Sequence, residues 1–154
     1  MLGILYIVAT PIGNLEDITL RALRILKEVD IIFAEDTRVT RKLLNYYNIM
    51  TPVGTYHQHS GEQITAHIAG LLRDGKQCAL VTDAGTPGVS DPGNELVARL
   101  YGILGMEFTV VPIPGPSAIT TLASVAGIPM QNFVFLGYPP TKKGRKTFFN
   151  TLAT

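Results

Sequence analysis

One pattern restricts the fold more than any other feature of this chain. Over the first 110 residues a short, mostly apolar run is followed by a longer stretch with apolar residues three and four apart, and this happens repeatedly. The runs cover residues 3–9, 30–34, 53–56, 77–82 and 106–111, and their near-continuous apolar character suits strands covered on both faces. The stretches between them carry helix starts. Asp17 is placed to cap a helix reaching Glu28, with Ile18, Ala22, Ile25, Leu26 and Val29 on one face. Thr37 is placed to cap a second, with Val39, Leu43 and Tyr47 four apart. Ser60 and Gln63 form a capping box before Ile64, Ile68, Leu71 and Leu72. Asp91-Pro92 opens a fourth, carrying Leu96, Val97, Leu100, Ile103 and Leu104. Successive β–α units of this spacing predict an α/β fold: a five-stranded, mainly parallel sheet with helices on both faces.

Residues 112–116, with three prolines and a glycine, read as a boundary. Residues 1–116 form the expected α/β domain, and 117–154 the junction and beginning of a second α/β domain. The second part contains a helix over 117–126, an isolated apolar strand over 132–137, a basic loop over 142–146 and a short terminal helix. A lone strand has an open edge, so it needs a partner from more chain, a second copy or the first sheet. An apolar content of 46% with 16% charged residues is globular and excludes disorder. Thirteen basic against twelve acidic side chains leave a formal charge of +1, so any nucleic-acid surface has to be a local patch. The single cysteine, Cys78, cannot form an internal disulfide and points to a reducing compartment. The apolar start lacks a basic flank and is much shorter than the ~20 residues of a membrane span. A soluble, cytoplasmic chain is expected.

The unusual residues sit after the strands. These loops read Thr10-Pro11-Ile12-Gly13-Asn14, Glu35-Asp36-Thr37-Arg38, His57-Gln58-His59-Ser60, Asp83-Ala84-Gly85-Thr86-Pro87 and Pro114-Gly115-Pro116-Ser117. The helix-to-strand connections are plainer. In a parallel sheet all strand-to-helix loops leave on the carboxyl edge, where ligands of open α/β sheets bind. Gly85 and Gly115 would let the main chain approach a ligand, and Asp83 would offer a carboxylate to an amine or hydroxyl. Ser117 marks a helix start suited to an anion. The loop after the first strand has one glycine where a dinucleotide fingerprint needs three, and no P-loop signature occurs.

The string Ala9-Thr10-Pro11-Ile12-Gly13-Asn14-Leu15-Glu16-Asp17-Ile18-Thr19, followed by Leu20-Arg21-Ala22-Leu23, resembles the opening motif of the ribosomal RNA cytidine-2′-O-methyltransferases. These belong to the tetrapyrrole-methylase-like class of S-adenosylmethionine-dependent enzymes. Ala34-Glu35-Asp36-Thr37-Arg38, then Asp83-Ala84-Gly85-Thr86-Pro87 through Asp91-Pro92-Gly93, then Pro114-Gly115-Pro116-Ser117-Ala118, recur in that family in the same order. Gly137-Tyr138-Pro139-Pro140 with Lys142, Lys143, Gly144 and Arg145 is similar to its segment past the domain junction. The resemblance implies a two-domain homodimer holding adenosylmethionine in the interdomain cleft and methylating a ribose 2′-hydroxyl of a cytidine in small-subunit (16S) ribosomal RNA. It implies cofactor contacts at Pro11, Asp83, Ala84, Gly85, Val89, Ser117 and Ala118. Family members are longer, so the chain reads as their front portion. A corrinoid- or porphyrin-methylating enzyme, or a non-catalytic module that binds cofactor or dimerises, is the alternative.

A ribose hydroxyl is a poor nucleophile, so a base that takes its proton helps the transfer. Glu35, Asp36 and His57 are the candidates, with His59 beside them. Glu35 and Asp36 equally suit an ion pair with Arg38 or a helix cap. His57 and His59 lack a third ligand and read as polar loop residues rather than a metal site. His67, beside Ile64 and Ile68, reads as half-buried. Lys142, Lys143, Arg145 and Lys146 form the densest basic cluster and, with Arg38, Arg41 and Lys42, are the expected RNA contacts.

Overall fold

The structure is a computed structural model, and it describes residues 1–57 and 61–152. All five expected strands form: β1 (Ile4–Val8), β2 (Ile31–Ala34), β3 (Val53–Thr55), β4 (Cys78–Val81) and β5 (Thr109–Ile113). They make one sheet of order β3-β2-β4-β1-β5 in which every pairing is parallel. Four helices connect them: α1 (Leu20–Glu28), α2 (Thr37–Tyr46), α3 (Glu62–Arg73) and α4 (Gly93–Leu104). Past the sheet lie α5 (Ala118–Val125) and α6 (Arg145–Leu152).

Chain direction explains the layering. The units β1-α1-β2 and β2-α2-β3 step one way through the sheet, while β3-α3-β4 and β4-α4-β5 step back. Parallel crossovers are right-handed, so the reversal moves the later helices to the opposite face. The core divides accordingly. Ala22, Ile25 and Leu26 of α1 and Leu43 and Leu44 of α2 pack on Val8, Ile32, Ala34, Ala79, Val81 and Ile113. Ile68, Ala69 and Leu72 of α3 and Leu96 and Leu100 of α4 pack on Leu5, Phe33, Cys78 and Leu80. Alternate residues of each strand feed opposite clusters, as the pleat requires. Central β4 is buried at all four positions, which is why it reads as an unbroken apolar run. Leu26, Ile68, Leu72, Leu96 and Leu100 are each fully buried, each stabilising the fold by roughly 1.5–3 kcal/mol through removal from water.

Several boundaries move. A short 3₁₀ turn, Leu15–Asp17, capped by Asn14, precedes α1, so Thr19 rather than Asp17 caps that helix by accepting from the Ala22 N–H. Asp36 rather than Thr37 caps α2, its carboxylate accepting from the Arg38 N–H. Ser60 lies outside the described residues, and α3 begins after Gly61. The fifth strand starts later than expected because Gly105 ends α4 at φ 79° and Met106 and Glu107 form a turn. The strand then includes Pro112, tolerated because β5 is an edge. His67 is exposed rather than half-buried, with its ring edge-on to Phe33. Residues 132–137 form no strand: they run without sheet pairing towards Pro139 and Pro140, and hydrogen-bonding partners, not apolar composition, are what a strand requires.

Candidate functional site

The sheet order sets where a site can form. β1 and β4 are neighbours, yet the chain leaves β1 for one face and β4 for the other, so the topological switch lies between their carboxyl ends. Backbone bonds tie this switch together. Thr10 and Gly85 exchange both N–H···O bonds, at 2.9 and 3.0 Å, as an isolated antiparallel bridge. The Thr10 hydroxyl donates to the Thr82 carbonyl (3.1 Å), and the Thr82 hydroxyl donates to Glu35 Oε2 (3.3 Å). Asp83 Oδ1 accepts from the Asp36 N–H (3.0 Å). The ends of β1, β2 and β4 are thereby held in one frame, and the Ala9 N–H donating to Ile113 (3.2 Å) adds β5.

The two site glycines owe their places to this frame. Gly85 has φ 82°, which L side chains rarely adopt, and its N–H and C=O are both engaged by Thr10. A Cβ on Gly115 would sit 2.9 Å from the Ala9 Cβ, so glycine there lets β5 turn out beside β1. Gly85 makes a bend that also lines the cavity described next, and Gly115 allows a close packing against Ala9.

Beside the switch opens a cavity of about 340 Å³. Its floor comes from Ile12 and from Ala84, Gly85 and Thr86, one wall from Val89 and Ser90, another from Ser117, Ala118 and Ile119, and a rim from Phe135, Gly137 and Tyr138. The wall bearing Val89 is stiffened locally. Asp91 Oδ1 accepts from both the Gly88 and Gly93 N–H groups, at 2.7 and 2.8 Å, and Asn94 donates to the Gly88 carbonyl. The Thr86 hydroxyl donates to the Pro116 carbonyl (3.3 Å), joining the β4 and β5 loops across the floor. Ser117 caps α5 with no side-chain capping bond, and with Ala118 it brings the positive start of that helix to the cavity lining.

Of the seven expected cofactor residues, Ala84, Gly85, Val89, Ser117 and Ala118 line this cavity. Pro11 and Asp83 do not; with Thr10, Leu15 and Val39 they line a smaller neighbour of about 50 Å³ over α2. Asp83 thus serves as an acceptor between strand ends. The candidate bases separate too. Asp36 makes a two-toothed ion pair with Arg38, whose guanidinium holds the carboxyl down at about 2. Glu35, half-buried, points towards Thr82. His57 follows β3 at the far edge of the sheet, exposed and away from the switch, and His59 is outside the described residues. Arg38 is exposed and committed to Asp36. Lys142 and Lys143 lie in an exposed turn, and Arg145 opens α6 with its guanidinium 5.0 Å from the Phe149 ring centroid. Among the described residues no cluster of three His, Cys, Asp or Glu side chains could hold a metal, and no helix is long and apolar enough to cross a membrane. Sequence reasoning missed the Thr10–Thr82–Glu35 chain and the rim from Phe135 to Tyr138. The Gly-Tyr-Pro-Pro string was the only signal for that rim.

The family described as tetrapyrrole (corrin/porphyrin) methylases matches residues 4–154. The chain belongs to this family. It is 46% identical over 151 residues to a Thermotoga maritima protein named ribosomal RNA small subunit methyltransferase I, covering 98% of this chain and 67% of that protein. A Bacillus subtilis protein of the same name is 49% identical over 145 residues, covering 94% of this chain and 49% of that protein. The chain spans about half the length of most curated relatives it matches, as in the proteins from Halalkalibacterium halodurans (49%) and Neisseria meningitidis (48%). Among solved structures, uroporphyrin-III-C-methyltransferase from Thermus thermophilus has the same fold, with TM-score 0.62 and 24% identity over 86% of this chain and 56% of that one.

Proposed function

We propose that this chain supplies the donor-binding part of an S-adenosylmethionine-dependent methyltransferase acting on a ribose 2′-hydroxyl of a cytidine in small-subunit ribosomal RNA. One observation carries the reading: identity of 46–49% to proteins named for that RNA, running along nearly the whole of this chain. The cavity supports it. Its volume falls within the range usual for small-molecule sites, roughly 300–1,000 Å³. Its apolar side chains, Ile12, Val89, Ile119, Phe135 and Tyr138, suit an adenine, and the Ser117 hydroxyl with the α5 N-terminus suits a carboxylate. Thr86 and Ser90 add hydroxyls for polar groups.

The donor supplies an electrophilic methyl carbon on a sulfonium. The residues of this chain bind, orient and exclude water. Positioning accounts for much of the acceleration in such a displacement, and the bridged frame of Thr10 and Gly85 keeps the cavity floor rigid. Of the Glu35–Asp36 pair, Asp36 is tied to Arg38 and to the start of α2, so Glu35, held by the Thr82 hydroxyl and paired with no cation among the described residues, is the carboxylate assigned to the acceptor hydroxyl. Residues 117–154 belong, in this reading, to a second unit whose apolar side chains pack in a homodimer, and Lys142, Lys143 and Arg145 contact RNA. The cell compartment that follows is the cytoplasm.

The test is transfer of labelled methyl from adenosylmethionine to small ribosomal subunits lacking the modification, followed by digestion to nucleosides. Label in 2′-O-methylcytidine is expected. Label entering a porphyrin or corrinoid instead would replace the substrate assigned here.

A further inference from the structure

The two faces of the sheet differ in charge. On one, α1 carries Arg21, Arg24 and Lys27 against a single acid, Glu28, and α2 carries Arg38, Arg41 and Lys42 with no acid, a net +5 over two helices. On the other, Glu62 and Arg73 of α3 balance, as do Glu95 and Arg99 of α4. All six cations of the first face are exposed. Arg24 and Arg38 are paired to Glu28 and Asp36. Arg21, Lys27, Arg41 and Lys42 are in no ion pair among the described residues. The whole chain is only +1, so this layer is a local excess rather than a reflection of composition.

Packing sets these cations on one face of the sheet. α1 and α2 share one buried cluster on the same sheet face, and the Thr51 hydroxyl donating to the Leu26 carbonyl (2.6 Å) ties the end of α1 to the loop after α2. Both helices begin at the carboxyl edge and run away from it, so Arg21 and Arg38 stand at the rim shared with the switch while Lys27, Arg41 and Lys42 lie further along. The acids Glu16 and Asp17 precede α1 in the 3₁₀ turn, at the rim and off the helix face. Unpaired like charges gathered on one face repel one another, and an anionic polymer laid across them removes that repulsion and releases counterions.

We propose that the exposed face of α1 and α2 is a docking surface for the phosphate backbone of the RNA strand whose target ribose lies at the carboxyl edge. This rests on the RNA substrate proposed above, and it assigns the main electrostatic contact to the folded α/β layer rather than to the cluster at Lys142 and Lys143. Arg21 and Arg41 offer forked donors to phosphate oxygens, and Lys27 and Lys42 act as point charges.

The experiment compares the unaltered protein with the combined variant Arg21→Gln, Lys27→Gln, Arg41→Gln, Lys42→Gln and with Arg99→Gln on the opposite face. Binding to a single-stranded segment of small-subunit RNA is followed by fluorescence anisotropy across a range of potassium chloride, with thermal melts as the check on folding. Each phosphate that is no longer neutralised lowers the slope of log K against log salt by about 0.7, so the combined variant should have a slope shallower by up to about 3. Arg99→Gln should keep the full slope. If the unaltered protein binds RNA and the folded combined variant keeps its slope, the docking face is wrong and the RNA substrate stands; an acidic protein partner for this face would give that same result. No salt-dependent RNA binding by the unaltered protein would overturn both.

Discussion

Every buried residue of the described chain lies before Pro114; from Pro114 to Leu152 none is buried. Ten of the nineteen large apolar side chains that stand exposed fall in this last quarter, from Leu122 to Leu152. The two regions do not differ because one is more polar. α5 carries no charge at all and buries nothing, whereas α1, with three cations, buries Ala22, Ile25 and Leu26. An apolar helix is stable in place only when another layer covers it. In residues 1–113 right-handed crossovers supply such a layer on both faces of the sheet. Beyond Pro114 the chain steps off the edge strand, and its start and the rim residues Phe135, Gly137 and Tyr138 line the cavity without a layer to cover them.

Truncations give the largest contrast between the two regions. Leu100→Ala, at a fully buried position, should cost about 2–5 kcal/mol in urea unfolding, while Leu122→Ala, 69% exposed, should stay within about 0.5 kcal/mol. Equal losses would mean that the last quarter is packed as tightly as the first three. At the boundary itself, Gly115→Ala forces a Cβ to 2.9 Å from that of Ala9 and should cost about 1–3 kcal/mol in thermal or urea unfolding. A neutral result would free the junction from the sheet.

Smaller effects are expected at the strand ends. Asp83→Ala removes the acceptor for the Asp36 N–H and should cost about 1 kcal/mol, whereas Asp83→Asn, which still accepts, should unfold like the parent. If Asn proves as damaging as Ala, the charge of Asp83 matters and the acceptor role is insufficient. Asp36 gives a pH signature. Its carboxyl sits at about 2 when folded against an ordinary 3.8, so its contribution is complete above about pH 4 and fades as pH falls through 2. Asp36→Ala should flatten that part of the urea midpoint against pH, and an unaltered acid limb would deny the Arg38 pair any share in acid stability. Least visible of all, the Cys78 thiol, buried in the sheet and pushed up to about 11, should resist alkylation until the protein unfolds.

Most of the α/β layer was legible because its signals are local: runs of strand length, apolar residues on a helical period, and polar starts before them. Misreadings arose where neighbours in space, not in sequence, decide. Asp17, Thr19, Asp36 and Thr37 are all competent caps, and the 3₁₀ turn ahead of α1 determined which was used there. That Asp83 also accepts from the Asp36 N–H was not legible, because nothing in its sequence says that β4 lies beside β2. The exposed cations of α1 and α2 went unjoined for the same reason: only the crossover direction puts both helices on one face. Residues 132–137 have the composition of a strand, but hydrogen-bonding geometry with a partner makes a strand.

The central claim is that the ends of β1, β4 and β5 build one donor cavity beside a bridged topological switch. Amide chemical shifts followed while adenosylmethionine is added test it most directly. Saturable changes should gather at Ile12, Ala84 to Ser90, Ser117 to Ile119 and Tyr138, with the amides of α3 and β3 still. Saturable changes centred on β3 and His57, or spread evenly over both faces of the sheet, would contradict it.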